Sequence, residues 1–255
     1  MTGSTLQPQE RFGMSTLLCY DGLKTSNGVV KGGVMRNWLA KTIAVEHRNP
    51  ESPAPSTSNT LGQTRIPQYL WIDGVGGYRI CTGEEWVLGQ AAPGNQVDLT
   101  ILGDLSRRAL ALRRSGRDYF LQPWQDVLID QQMVDRPAVL RDGSKITVGQ
   151  RVQLAFQLPN PWSSSAILKL QSHHRWQPSV DGVILLADSI VLGPMQESHV
   201  VCPFWNKDLV IYRDGNKLFC RSSFELQVNQ QARSGEFELN VGDKIRSDDV
   251  SFGLE

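Results

Sequence analysis

The sequence predicts an all-β fold: two tandem β-sandwiches behind an N-terminal segment. Three observations carry that prediction. From residue 67 onward, extended runs rich in β-branched and aromatic residues follow one another, among them RICTGEEWVLG, DYFLQP and DVLID. Turn signals stand between such runs: Ser115-Gly116, Asp142-Gly143, Asp181-Gly182 and Asp214-Gly215. The body also repeats itself, and no long helical period interrupts it.

The repeat has a fixed spacing. ALRRSGRDYFLQP aligns with VIYRDGNKLFCRS, LIDQQ with QVNQQ and DGSKI with VGDKI, all 99 residues apart. From Arg114 to Ile146, nine of 33 positions are identical at that spacing, and they include the glycines and apolar residues that turns and strands need. An internal duplication explains this. WVLG (86–89) matches IVLG (190–193) at a spacing of 104, so the second copy is five residues shorter before its Gly215 turn. Loops absorb length changes and strands resist them. The stretch GDLSRRALALRRSG (103–116) therefore contains a loop. The chain divides into a tail and linker (1–66), a first sandwich (67–158) and a second (163–255), joined by LPNPW.

The remaining elements follow in order. ESPAPSTSNT (51–60) is a Pro/Ser/Thr linker that cannot bury itself, so the segment 1–66 is expected to be partly disordered. Before it, VMRNWLAKTIAVEH (34–47) allows one helix, with Val34, Trp38 and Val45 on one face and Leu39 beside it. Lys31, Arg36, Lys41 and Arg48 make this region basic, so it reads either as a membrane-surface or docking helix or as a weakly ordered tail that folds only against the body. DGVGG (73–77) precedes a strand pattern rather than a helix, so it reads as a hairpin turn and not a phosphate loop. Trp86 is expected in the core because its duplicate is Ile190. Trp162 and Trp176 are expected to cover the joint between the copies. His173-His174 is read on a strand, where neighbours point to opposite faces and do not share a metal. Arg107, Arg108, Arg113 and Arg114 read as solvated strand-edge charges.

Composition narrows the function. Twenty-six basic residues balance 26 acidic ones, so the basic excess of a nucleic-acid binder is absent. Four cysteines, none in a CxxC pair, indicate no zinc ribbon and read as buried thiols of a reducing compartment. No apolar run reaches the roughly 20 residues of a membrane span, and no signal-peptide layout opens the chain, so the expected location is cytoplasmic. No GxSxG elbow occurs. No enzyme activity, cofactor or metal is expected.

One order of signals stands out. WVLGQ is followed by VDLTILGDLSRRALAL, then DYFLQP, VLIDQQ and LRDGSKITVGQRVQLAF. This resembles a forkhead-associated (FHA) domain over 67–158, and more faintly over 163–255. The two-copy layout is similar to FHA-like proteins of planctomycete-type bacteria. The resemblance implies an eleven-stranded sandwich whose loops at one end recognise phosphothreonine peptides. It places Gly89 at the family glycine, Ser106 and Arg107 at the family serine and its basic neighbour, and Gln125 near the family asparagine. The family arginine is Gln90 here, and the family histidine is Ala109. In the second copy, Gly193 is followed by Pro194, and the serine and histidine positions hold Trp205 and Asp208.

These departures weaken a phosphate site. Each charged hydrogen bond contributes roughly 1.5–3 kcal/mol, so replacing the arginine by Gln90 costs about 30-fold in affinity. Asp126 adds a repelling charge. The sequence leaves two readings of Ser106-Arg107 open: the lip of a strand, where a serine hydroxyl satisfies nearby backbone, or an anion site made with Arg108 and Gln90. The functional expectation is a non-catalytic protein-interaction module with weak or lost phosphothreonine recognition. The alternatives are a true phosphopeptide reader through Ser106 and Arg107, and a spacer that docks through the N-terminal helix.

Overall fold

A computed structural model describes residues 68–255, which form strands and turns and no helix. The tail and linker, with the helix expected over 34–47, lie outside the described residues. No helix among the described residues is long and apolar enough to cross a membrane.

Six strands form one sheet. In spatial order they are β13 (Arg175–Gln177), β4 (Leu99–Leu102), β3 (Glu85–Gln90), β5 (Leu110–Ser115), β6 (Asp118–Pro123) and β9 (Ala138–Leu140). A second hydrogen-bonded path begins with β16 (Val200–Val201), β15 (Ser189–Gly193), β17 (Leu209–Asp214), β18 (Lys217–Val228), β20 (Lys244–Arg246) and β21 (Ser251–Leu254). It continues through β1 (Gln68–Ile72), β2 (Gly76–Thr82), β14 (Gly182–Leu186), β12 (Ala166–Leu170) and β11 (Val152–Gln157). It ends with β10 (Lys145–Val148), β7 (Val127–Ile129) and β8 (Gln132–Val134), while β19 (Gln231–Leu239) pairs with β18.

Period-2 patterning explains these strands. On β6, Tyr119, Leu121 and Pro123 are buried while Asp118, Phe120 and Gln122 face outward. The turns recur with the repeat. Asp130 and Gln131 have φ of 50° and 69°, and Asn229 and Gln230 have 51° and 72°. Both pairs close hairpins with the left-handed geometry that a two-residue turn requires. In each, the first side chain accepts a backbone N–H 15 residues on, from Lys145 to Asp130 (2.9 Å) and from Lys244 to Asn229 (3.0 Å).

Two cores result, and they do not follow the division at 158–163. The first packs Trp86, Leu88, Ile101, Leu112, Tyr119 and Leu121 of the six-stranded sheet against Ile146, Leu154, Phe156, Leu168, Val183 and Leu185. The last three lie on β12 and β14, which follow the connector. The second core packs Ile190, Leu192, Ile211 and Cys220 against Ile245, Phe252 and Leu254, together with Leu70, Ile72, Tyr78 and Ile80. Those four lie on β1 and β2, at the start of the described chain. Accordingly β1 pairs with β21, and β12 pairs with β11. Each hairpin completes the core of the other half.

The two hairpins meet along a parallel seam. Tyr78 pairs with Gly182, Ile80 with Ile184 and Thr82 with Leu186, each pair 104 residues apart, the spacing that separates WVLG from IVLG. Ile167, Ile184 and Leu186 turn to the second core while Leu168, Val183 and Leu185 turn to the first, so both faces of the seam are dry. Asp181 ties it further: its carboxylate accepts the Gly77 N–H at 2.8 Å, and its own N–H donates to Gly77 O at 2.7 Å.

Several expectations are corrected. Asp181-Gly182 is no turn; Gly182 begins β14. Trp162 is 92% exposed, so it covers no joint, and Trp176 is buried in the first core. Arg113 and Arg114 are not on an edge, because β5 lies between β3 and β6. Arg114 is instead half-buried and faces Glu84 at 3.8 Å. His173 and His174 are not on a strand. They lie in a bend between β12 and β13, with rings stacked at 4.6 Å and 24°. DGVGG is the hairpin turn between β1 and β2, as expected, and Trp86 is 2% exposed.

Candidate functional site

The loop 103–109 is built onto Gly89. A side chain there would run into the Arg107 carbonyl, so glycine lets the loop lie directly on β3. Backbone bonds then fasten it: Gln90 N–H donates to Ser106 O (3.0 Å) and Ala109 N–H to Leu88 O (2.8 Å). Asn95 locks the same turn from outside, donating through Nδ2 to both Gln90 O (2.8 Å) and Arg107 O (2.7 Å). At the Ala109 position the buried methyl packs in the first core.

The six sequence candidates separate into two groups. Ser106 and Gln125 come together: Gln125 Oε1 accepts the Ser106 N–H at 2.9 Å, and both line one polar cleft of about 610 Å³. Gly89 and Gln90 lie beneath the loop, outside the cleft wall. The Gln90 amide reaches Gly103 O at 3.4 Å. Arg108 turns away, its guanidinium 4.5 Å from the centre of the exposed Trp124 ring. Arg107 is exposed and does not line the cleft.

The other wall was not read from the sequence. It consists of Gly149, Gln150 and Arg151 from the β10–β11 turn and His173 and His174 from the β12–β13 bend, with Asp104 and Asp126 on the rim. Ser172 Oγ lies 2.8 Å from His174 Nδ1. The His174 ring packs where a side chain on Gly103 would stand. Partial desolvation, and then the neighbouring His173 and Arg151 charges, lower the His174 pKa below the usual imidazole value. The histidines reach this end of the first sandwich only because their hairpin has crossed over, which local sequence does not signal. Among the described residues, no group of three or more His, Cys, Asp or Glu side chains could hold a metal ion.

The second half carries a different cleft, of about 400 Å³, walled by Lys207, Phe224, Glu225, Gln227, Arg246, Ser247 and Asp248. Lys207 lies over Phe224 at 4.8 Å. Trp205 is buried in the second core. His199 is also buried: its Nδ1 accepts the Val191 N–H at 3.0 Å, and burial lowers its pKa to about 4.

No protein-family pattern matches the chain, and no curated protein matches it. Solved structures similar to it include three FHA domains. The FHA domain of the CT664 protein from Chlamydia trachomatis is 13% identical, covers 33% of this chain and 90% of its own, and has a TM-score of 0.25. The FHA domain of Rv0020c is 23% identical, with 34% and 91% covered and a TM-score of 0.23. The N-terminal FHA domain of EssC, a component of the bacterial type VII secretion apparatus, is 8% identical, with 74% and 92% covered and a TM-score of 0.21.

Proposed function

We propose that the body is a pair of FHA-like sandwiches, made by tandem duplication and joined by exchanged hairpins. It works as a non-catalytic protein-interaction module that holds a peptide in the Ser106/Gln125 cleft without needing a phosphate. The order of sequence signals over 67–158 supports the FHA-like assignment. The recurrence of strand bounds and left-handed turns at the 99-residue spacing supports the duplication.

One observation carries the loss of phosphate dependence. The Ser106 N–H is occupied by Gln125, and one N–H of the Gln90 amide is turned to Gly103 O, so groups that could face an anion help hold the loop instead. Arg108 lies over Trp124 and does not line the cleft. A phosphate brings about −1.5 to −2 charges, and it would meet Asp104 and Asp126 on the same rim. A specific observation favours the second reading, a phosphothreonine reader: Ser106 shares its cleft with the Arg151 guanidinium and the imidazoles of His173 and His174, which offer N–H donors. A reducing, cytoplasmic setting suits the buried Cys202 and Cys220 thiols, each pushed up to about 12 by burial and therefore unreactive.

The test is a random-peptide selection on the intact chain, repeated on Ser106→Trp, which plugs the cleft. Peptides that bind the parent and are lost from the plugged variant support the site. Peptides that bind both equally remove it.

A further inference from the structure

The outer faces of the two sandwiches carry equivalent positions with opposite chemistry. In the second half, Tyr212, Phe219 and Glu238 lie side by side across three strands, and Arg221 pairs with Glu236. That face is closed by its own charges. Lys217 meets Glu238 at 2.9 Å, Arg221 meets Glu236 at 2.6 Å, and Tyr212 stacks on Phe219 at 5.4 Å. Arg221 also covers the Tyr212 ring at 5.2 Å.

Ninety-nine residues earlier, the corresponding row on the first sandwich is Arg113, Phe120 and Val139. Pro137 stands for Glu236, Val139 for Glu238 and Gln122 for Arg221. The acids that close the second face are gone. What remains is a groove of about 460 Å³ lined by Ala111, Phe120, Trp124 and Pro137, with Glu85 and Arg113 facing each other at one side. Trp124 is 44% and Val139 50% exposed. Exposed aromatic and aliphatic side chains gathered contiguously on one sheet face are a feature of interaction surfaces.

Charge selects the occupant. Glu85 and Arg113 are cross-strand partners and offset one another. Arg108, held over Trp124, has no ion-pair partner among the described residues and places a positive charge beside the exposed indole. We infer that this face docks a partner segment with an apolar side chain, which fills the groove at Phe120 and Trp124, and a neighbouring acidic side chain, which meets Arg108. The surface is separate from the Ser106/Gln125 cleft and does not depend on it.

The experiment restores the closed face. Gln122→Arg, Pro137→Glu and Val139→Glu copy the second half's residues onto exposed or half-buried positions, and thermal unfolding checks that the intact chain still folds. Peptides are selected from a random 12-residue library on the Ser106→Trp chain, whose cleft is plugged. The expected peptides pair an aromatic or aliphatic residue with Asp or Glu. Their affinity should fall at least about tenfold in the triple variant, and severalfold in Arg108→Gln. Selected peptides without an acidic residue, peptides indifferent to the triple variant, or no selection at all would overturn the proposal. So would a concentration-dependent dimer that the triple variant dissolves, since the occupant would then be a second copy.

Discussion

Cutting the chain where the repeats divide should destroy the first sandwich, and cutting it elsewhere should spare it. A fragment of 67–158 keeps the first repeat in sequence but loses Leu168, Trp176, Val183 and Leu185 from its core, all 3% exposed or less. Deleting one large core side chain costs about 2–5 kcal/mol, so four cost on the order of 10 kcal/mol, similar to the roughly 5–15 kcal/mol that holds a whole domain together. Strand β11 also loses its β12 partner. A fragment of 83–187 keeps every buried residue of that core except Cys81. It uncovers Ile167, Ile184 and Leu186, so it must be studied dilute. Urea unfolding followed by circular dichroism, with amide NMR dispersion, reads both fragments. The expectation is a cooperative transition for 83–187 and none for 67–158. A monomeric 67–158 with a sharp transition and dispersed amides would refute the reasoning, because its own β1–β2 hairpin would then have closed its own core.

Three further outcomes follow. The folded state holds His199 neutral, with a pKa lowered by burial to about 4, while the unfolded chain binds that proton near 6.5. Its contribution to stability is therefore complete above about pH 6.5 and is lost as pH falls toward 4, by about 3 kcal/mol in all. His199→Asn keeps an acceptor for Val191 N–H and should flatten that part of the stability-versus-pH curve relative to the parent. Gly89→Ala drives a methyl into the Arg107 carbonyl; it should cost about 1–3 kcal/mol in denaturant unfolding and weaken cleft-bound peptides by displacing Ser106. Asp181→Ala removes the acceptor of the Gly77 N–H at the seam and should lower stability by about 1 kcal/mol, measured by urea unfolding, while leaving peptide affinity unchanged.

The strands were legible because their signals are local. Alternation on DYFLQP and the glycines at 116, 143 and 215 each act over a few residues, and all appear where expected, whereas DVLID reads as extended through Asp130 and hides the left-handed turn at Asp130-Gln131. The exchange was not legible. Pairing β12 with β11 rather than leaving it in its own half is decided by packing across the seam, where Ile184 and Leu186 serve one core and Val183 and Leu185 the other. Their run GVILL does hint at it, since five consecutive buried residues need apolar neighbours on both faces. The site divided the same way. Ser106 and Gln125 were found because both lie on loops of one repeat. Arg151 lay in a turn that no motif marked, and His173 and His174 arrive with the crossed hairpin. Asn95 was missed although a single side chain there holds two carbonyls of the site loop.

The most direct test of phosphate-independent recognition is a fluorescence titration of the intact chain with matched threonine and phosphothreonine forms of a cleft-selected peptide. Equal affinities within about threefold, both lost in Ser106→Trp, are expected, since the Ser106 N–H and the Gln90 amide are already engaged. Phosphorylated peptide bound at least about tenfold more tightly, with that gain abolished by Arg107→Ala or Arg151→Ala, would contradict it and show that the cleft reads the phosphate.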